Sequence, residues 1–200
     1  MKIPEPIKPF VDEFSKLPGI GPRQALRLAF YLANRGPATV LPIAGALSLL
    51  ADLKTCPNCF SVHDGESDTC GICNDPTRDS LTIAIVEKET DLISIEATAK
   101  YKGTYLIIGD VKKAGSLDDR QKARLSSLKS RISSFPLNKA CEIIIAFSPT
   151  TAGDISAEIV GEYMRAHTNK ISRLGRGIPI GGEVEFADPD TLGEAIEGRK

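Results

Sequence analysis

The sequence has no apolar run long enough to cross a bilayer, no marked excess of either charge, no nucleotide-binding lysine loop and only two histidines. Each shortage removes a class of function. The longest nearly apolar stretch, Leu41 to Leu53, carries Pro42 and falls short of the roughly 20 residues that a membrane helix needs. The N-terminus shows no basic, apolar and small-residue succession of a signal peptide, so the expected address is cytoplasmic, where reduced thiols favour metal over disulfides. A net charge of -1 argues against a uniformly basic nucleic-acid binder, and the absence of any Gly-Lys-Ser/Thr loop argues against ATPase activity. His63 could replace a thiolate ligand but reads as a solvated loop residue, and His167 reads as a surface residue.

Against these shortages stand two cysteine pairs, Cys56-Pro57-Asn58-Cys59 and Cys70-Gly71-Ile72-Cys73. Two CxxC turns this close match a tetrahedral zinc site, with sulfurs at about 2.3 Å from the ion. All four positions are filled by protein, so the expected ion is one structural Zn2+ per chain with no open site for catalysis. A four-thiolate zinc carries two negative charges, and residues 56 to 80 hold five acids against one basic residue, so the knuckle should repel phosphate. Residues 1 to 55 hold seven Lys or Arg against four acids. Within them Leu17-Pro18-Gly19-Ile20-Gly21-Pro22-Arg23 joins a short helix around Val11 and Phe14 to a second helix with an Ala25, Leu28, Ala29 and Leu32 stripe. Gly19 and Gly21 permit a tight turn, Pro22 suits the first helical position, and the exposed N-H groups there accept a phosphate. Arg23 and Arg27, one turn apart, add charge on that face, which makes these four residues the candidate DNA contacts. The stretch resembles the helix-hairpin-helix motif, which grips the DNA backbone without reading sequence. Leu41 to Leu53 reads as a further helix running into the first cysteine.

After the knuckle the pattern is strand, helix, strand: strands over 81–87, 104–108, 142–147 and 170–174, with helices over 90–99, 117–134 and 155–166. Such alternation predicts a parallel sheet with right-handed crossovers, and Glu87, Asp110 and Asp154 fall at the carboxyl ends of its strands. Acids there could hold Mg2+. The layout resembles the Toprim fold, yet the loop Ser148 to Asp154 has no Asp-x-Asp, so Glu87 and Asp154 would bind Mg2+ weakly or serve a partner contact. Tyr101, Tyr105 and Tyr163 read as packing residues, and Cys141 as a buried, inert thiol. Lys112 to Arg131 holds seven basic residues against two acids and serves as either a solvated helix face or a DNA or partner surface.

The order of these parts, ending in Arg176-Gly177-Ile178-Pro179-Ile180-Gly181-Gly182-Glu183, resembles the bacterial RecR family of recombination mediators over almost the whole chain. Where the family usually carries Asn and two Glu in the loop after the third strand, this chain has Ser148, Ala152 and Asp154. The expected fold class is a multi-module α/β chain. It comprises a helical helix-hairpin-helix region over 1–54, a four-cysteine zinc finger over 55–79, a Toprim-like parallel-sheet domain over 80–174 and a glycine-rich assembly segment over 175–200. The resemblance implies a non-enzymatic homo-oligomer, from dimer to ring-like tetramer, that binds double-stranded, gapped or junction DNA and works with RecO and RecF to load RecA. A small Mg2+-dependent Toprim nuclease using Glu87 and Asp154 is the alternative. The apolar tail residues Ile178, Ile180, Val184 and Phe186 either meet another subunit or fold back over their own sheet.

Overall fold

The computed structural model describes residues 3–111 and 116–199. Contacts divide the chain into two compact units, Met1–Leu53 and Lys54–Lys200.

The first unit is helical: α1 (Ile7–Phe14), α2 (Pro22–Arg35) and α3 (Pro37–Leu50). Ile7, Ala25 and Ala29 are buried between α1 and α2, the small alanines letting the two helices approach closely. Gly19 turns with φ 77° and Gly36 with φ 75°, conformations that a residue with a Cβ adopts only with strain. The third helix begins at Pro37, four residues before the expected start, and keeps Pro42 inside. None of its residues is buried, and Val40, Leu41, Ile43, Leu47, Leu49 and Leu50 are exposed.

The second unit opens with a two-stranded hairpin, β1 (Lys54–Thr55) and β2 (Val62–His63), and a single helical turn α4 (Gly71–Asn74). The sheet follows, with β3 (Asp79–Val86), β4 (Gly103–Ile107), β5 (Glu142–Ala146) and β6 (Ile171–Arg173) in the order β4-β3-β5-β6, every pairing parallel. The intervening helices are α5 (Glu89–Ala97), α6 (Asp119–Ile132) and α7 (Thr151–Met164). Both faces of the sheet are covered, which explains its continuous apolar strands. Ile83, Ile85, Leu106, Ile143 and Ile145 meet Leu125, Leu128 and Ile132 of α6 and Val160 and Met164 of α7. The alternate residues Ala84, Val86, Tyr105 and Ile107 join Leu92 of α5 and the cysteines of the knuckle.

Two expectations, on Cys141 and on the basic stretch, are corrected. Cys141 is exposed, because it precedes β5 and the buried alternation starts only at Ile143. In the tail, Asp188 caps α8 (Pro189–Glu197) by accepting the Thr191 N-H at 2.9 Å. The basic stretch Lys112 to Arg131 is neither one solvated face nor one open surface. Lys112 and Lys113 lie outside the described residues, Arg124 is buried, and Arg131 has buried guanidinium nitrogens.

Candidate metal centre and helical hairpin

The four cysteines converge because two tight turns face each other. In the first, the Cys56 N-H donates to Ser61 O and the Phe60 N-H to Cys56 O, each at 2.9 Å, with Phe60 at φ 63° to close the turn. In the second, Cys70 sits at the head of α4 and the Asn74 N-H returns to its carbonyl at 3.0 Å. The four sulfurs of Cys56, Cys59, Cys70 and Cys73 lie within 4.8 Å of one another, an arrangement that can hold a metal ion and is compatible with zinc. Among the described residues this is the one group of three or more histidines, cysteines or acids so placed. His63 is outside it, its Nε2 facing the Asp68 carbonyl at 3.3 Å. The thiols press on one another. Hydrogen bonding from Cys73 pulls the Cys59 thiol down to about 5, while Cys73 is pushed up by donating to Cys59 and Cys70 is pushed up by burial.

The knuckle is seated on the sheet edge. The Ile107 N-H of β4 donates to Cys59 O at 2.8 Å, so the edge strand finds its missing partner in the metal loop. From α6, Arg124 donates to Ile107 O at 2.8 Å with its guanidinium 4.9 Å from the Phe60 ring centroid, and Arg131 donates to Asn58 O at 3.0 Å. These arginines are seven residues apart on one helix face with Leu128 between them. That spacing was the available sequence signal, hidden among the charges of the basic stretch.

In the helical unit, Gly21 is the extended N-cap of α2, Pro22 takes the first position, and no acid occupies the first turn. Arg23 and Arg27 are exposed on that helix, and neither has an acidic partner among the described residues. A bare positive helix end with two unneutralised guanidinium groups attracts phosphate oxygens.

The carboxylates at the strand ends do other work. The Glu87 Oε1 accepts the Ser148 N-H at 2.9 Å, and Asp154 accepts from Arg173 and Arg176, which hold its carboxyl below the usual range, Arg176 more strongly. Arg176 also lies 3.6 Å from Glu194 of α8. Glu87 instead shares a cleft of about 500 Å³ with Asp110, Arg120 and Arg124. Among the described residues Glu87 and Asp154 fall in no group of three or more metal-ligating side chains, and Asp154 does not line the cleft that Glu87 shares with Glu89, Asp110 and Asp118. The tyrosines are packing residues: Tyr105 is fully buried with its OH on Glu96 Oε1 at 2.6 Å, and Tyr101 donates to Thr104 O at 2.8 Å. Tyr163 lies under the ammonium of Lys129, 3.5 Å from its ring centroid. In the tail, Ile180, Val184 and Phe186 are 107%, 63% and 79% exposed, so these residues do not fold back over the sheet.

Comparison with known proteins agrees with this layout. A family model described as RecR, helix-hairpin-helix, matches residues 7–50, a Toprim domain model matches residues 82–175, and a RecR C-terminal model matches residues 177–200. Similar proteins named Recombination protein RecR include one from Chloroflexus aurantiacus, 37% identical over 200 residues that cover 99% of this chain and 95% of the relative. Another from Deinococcus radiodurans is 35% identical over 201 residues, covering 100% and 88%, and one from an Anaeromyxobacter species is 35% identical over 203 residues, covering 100% and 99%.

Proposed function

The chain belongs to the RecR family of recombination proteins, and from that premise we propose that it is a non-enzymatic DNA clamp of recombination repair, held together by a structural zinc. The observation that carries the reading is the acid-free N-terminus of α2 with exposed Arg23 and Arg27 beside the Gly19 and Gly21 turn. A single such end grips phosphate weakly. Several of them in one assembly add their contacts without reading bases, so affinity comes from avidity and falls steeply with salt.

Assembly is favoured by two apolar surfaces in different parts of the chain, the unburied α3 and the tail residues Ile180, Val184 and Phe186. Two dissimilar patches suit a closed homo-oligomer, a dimer extended to a ring tetramer, better than an isolated monomer. On this reading the cytoplasmic ring encircles double-stranded DNA at gaps or junctions and, with RecO and RecF, helps load RecA. Cys56, Cys59, Cys70 and Cys73 hold one Zn2+ per chain, which shapes the knuckle and takes no part in chemistry.

The test is retardation of gapped duplex DNA across a salt series, with and without Mg2+ or Mn2+. Retarded, intact DNA whose retention weakens in the Arg23→Ala, Arg27→Ala double variant supports the clamp. Metal-dependent cutting abolished by Glu87→Gln would establish the nuclease instead.

A further inference from the structure

We propose that Arg131 is the outer-shell cation of the four-cysteine metal centre, its guanidinium donating to the metal-bound thiolates and setting how tightly the ion is held. This rests on the reading that the cysteines bind a metal. A guanidinium carries five N-H donors and no acceptor, so burying one requires several acceptors or a nearby negative charge. In Arg131 only Nη1 is satisfied, by the carbonyl of Asn58 inside the first cysteine turn, while Nε and Nη2 are buried with no hydrogen-bond partner. Burial pushes the guanidinium down, and the groups that most oppose this are Cys73, Cys59 and Cys56.

The metal centre has the opposite shortage. Four thiolates around a divalent ion leave two net negative charges, and three of the four cysteines are buried. Metal-bound sulfur keeps lone pairs that accept N-H donors, and outer-shell donors of this kind tune metal affinity. Three other cations that bond at the knuckle or its seat are committed elsewhere: Lys54 donates to Glu66 O at 2.9 Å, Arg78 pairs with Glu96 and Asp75, and Arg124 donates to Ile107 O across the Phe60 ring. The orphaned donors of Arg131 and the uncompensated charge of the thiolates answer each other. Because Arg131 belongs to α6, metal retention is also tied to the packing of that helix on the sheet.

The full-length chain, its Arg131→Lys and Arg131→Gln variants and an Arg78→Gln control would be reconstituted with Zn2+ and separately with Co2+. Two quantities are read: zinc transfer to a chromophoric chelator, and the energy of the thiolate-to-cobalt charge-transfer band. Arg131→Gln should hold zinc about tenfold or more less tightly, with the cobalt band shifted to lower energy as the sulfurs lose their donors. Arg131→Lys should fall between, and Arg78→Gln, which breaks ion pairs with Glu96 and Asp75 and no hydrogen bond to a cysteine, should change neither quantity. Unchanged zinc affinity and an unshifted band in Arg131→Gln overturn the assignment, as does an equal loss in Arg78→Gln. If Arg131→Gln does not fold, the band in Arg131→Lys decides, and an unshifted band there overturns it. Failure of the unsubstituted chain to take up either ion would instead remove the metal reading itself, and this inference with it.

Discussion

The Ile107 N-H of edge strand β4 donates to the Cys59 carbonyl at 2.8 Å, making the four-cysteine knuckle the continuation of the sheet's hydrogen-bond ladder. Metal loss should therefore be felt beyond the knuckle. If the turn opens, Ile107 loses its acceptor and Arg124 and Arg131 lose the surface they clamp. Even a third of the about 10 kcal/mol that a structural zinc contributes lowers the melting midpoint by roughly 7–13 °C, at about 2–4 °C per kcal/mol for a chain of this size. Strong chelation or Cys59→Ser, followed by calorimetry and amide exchange at Ile107, measures this. An unchanged midpoint in metal-free protein would contradict the arrangement.

Arg23 and Arg27 act additively if they contact separate phosphates. Each alanine substitution should weaken retention of all duplex sequences alike and reduce the slope of log affinity against log salt by about one. Neither residue is buried or paired with an acid among the described residues, so the melting temperature should stay within about 2 °C. Titrations at several salt concentrations check both statements, and a sequence-dependent loss would indicate base contacts instead.

Much of this architecture is legible in the sequence because single residues dictate it. The apolar runs of β3 and β5 can only belong to strands covered on both sides, and the cysteine spacing admits few other uses. The Gly-Ile-Gly-Pro turn declares its helix through one positive φ and one proline at the first helical position. What stays hidden depends on partners far apart in the chain. Nothing local to Asp154 announces Arg173 and Arg176, which lie 19 and 22 residues onward, and no pattern around Arg131 names a carbonyl 73 residues earlier. The exposure of Cys141 is hidden for a different reason: it borders a buried strand, and one residue's shift in register exchanges inside for outside.

The Asp154 pairs join α7 to the end of β6 and to the segment after it, and through Arg176 they approach Glu194 of α8. Its carboxyl is held below the usual range, so its contribution to stability is fully present above about pH 4 and is lost as pH falls through the folded value. The side chain is 38% exposed, which limits the contribution to less than about 1 kcal/mol. Asp154→Asn should accordingly leave the midpoint nearly unaltered at pH 7 but raise amide exchange over residues 173–198, and the unsubstituted chain should approach that exchange pattern only as pH falls below the ordinary carboxylate range. If exchange in this segment is the same for both chains at pH 7, Asp154 does not anchor it.

Glu87 distinguishes a holding carboxylate from a catalytic one. Its Oε1 fastens the Ser148 N-H at 2.9 Å, at the start of the loop that leads to the Thr150 cap of α7. A neutral amide oxygen accepts the same bond less strongly, so Glu87→Gln should loosen the loop at a cost of about 1 kcal/mol, while Arg23 and Arg27 belong to the other unit. Were Glu87 a Mg2+ ligand, its loss would abolish a metal-dependent reaction and leave the loop largely alone. The expected outcome is unchanged retention of gapped DNA, intact with or without Mg2+, together with faster exchange at Ser148, and magnesium should alter neither the wild-type nor the substituted chain's melting temperature.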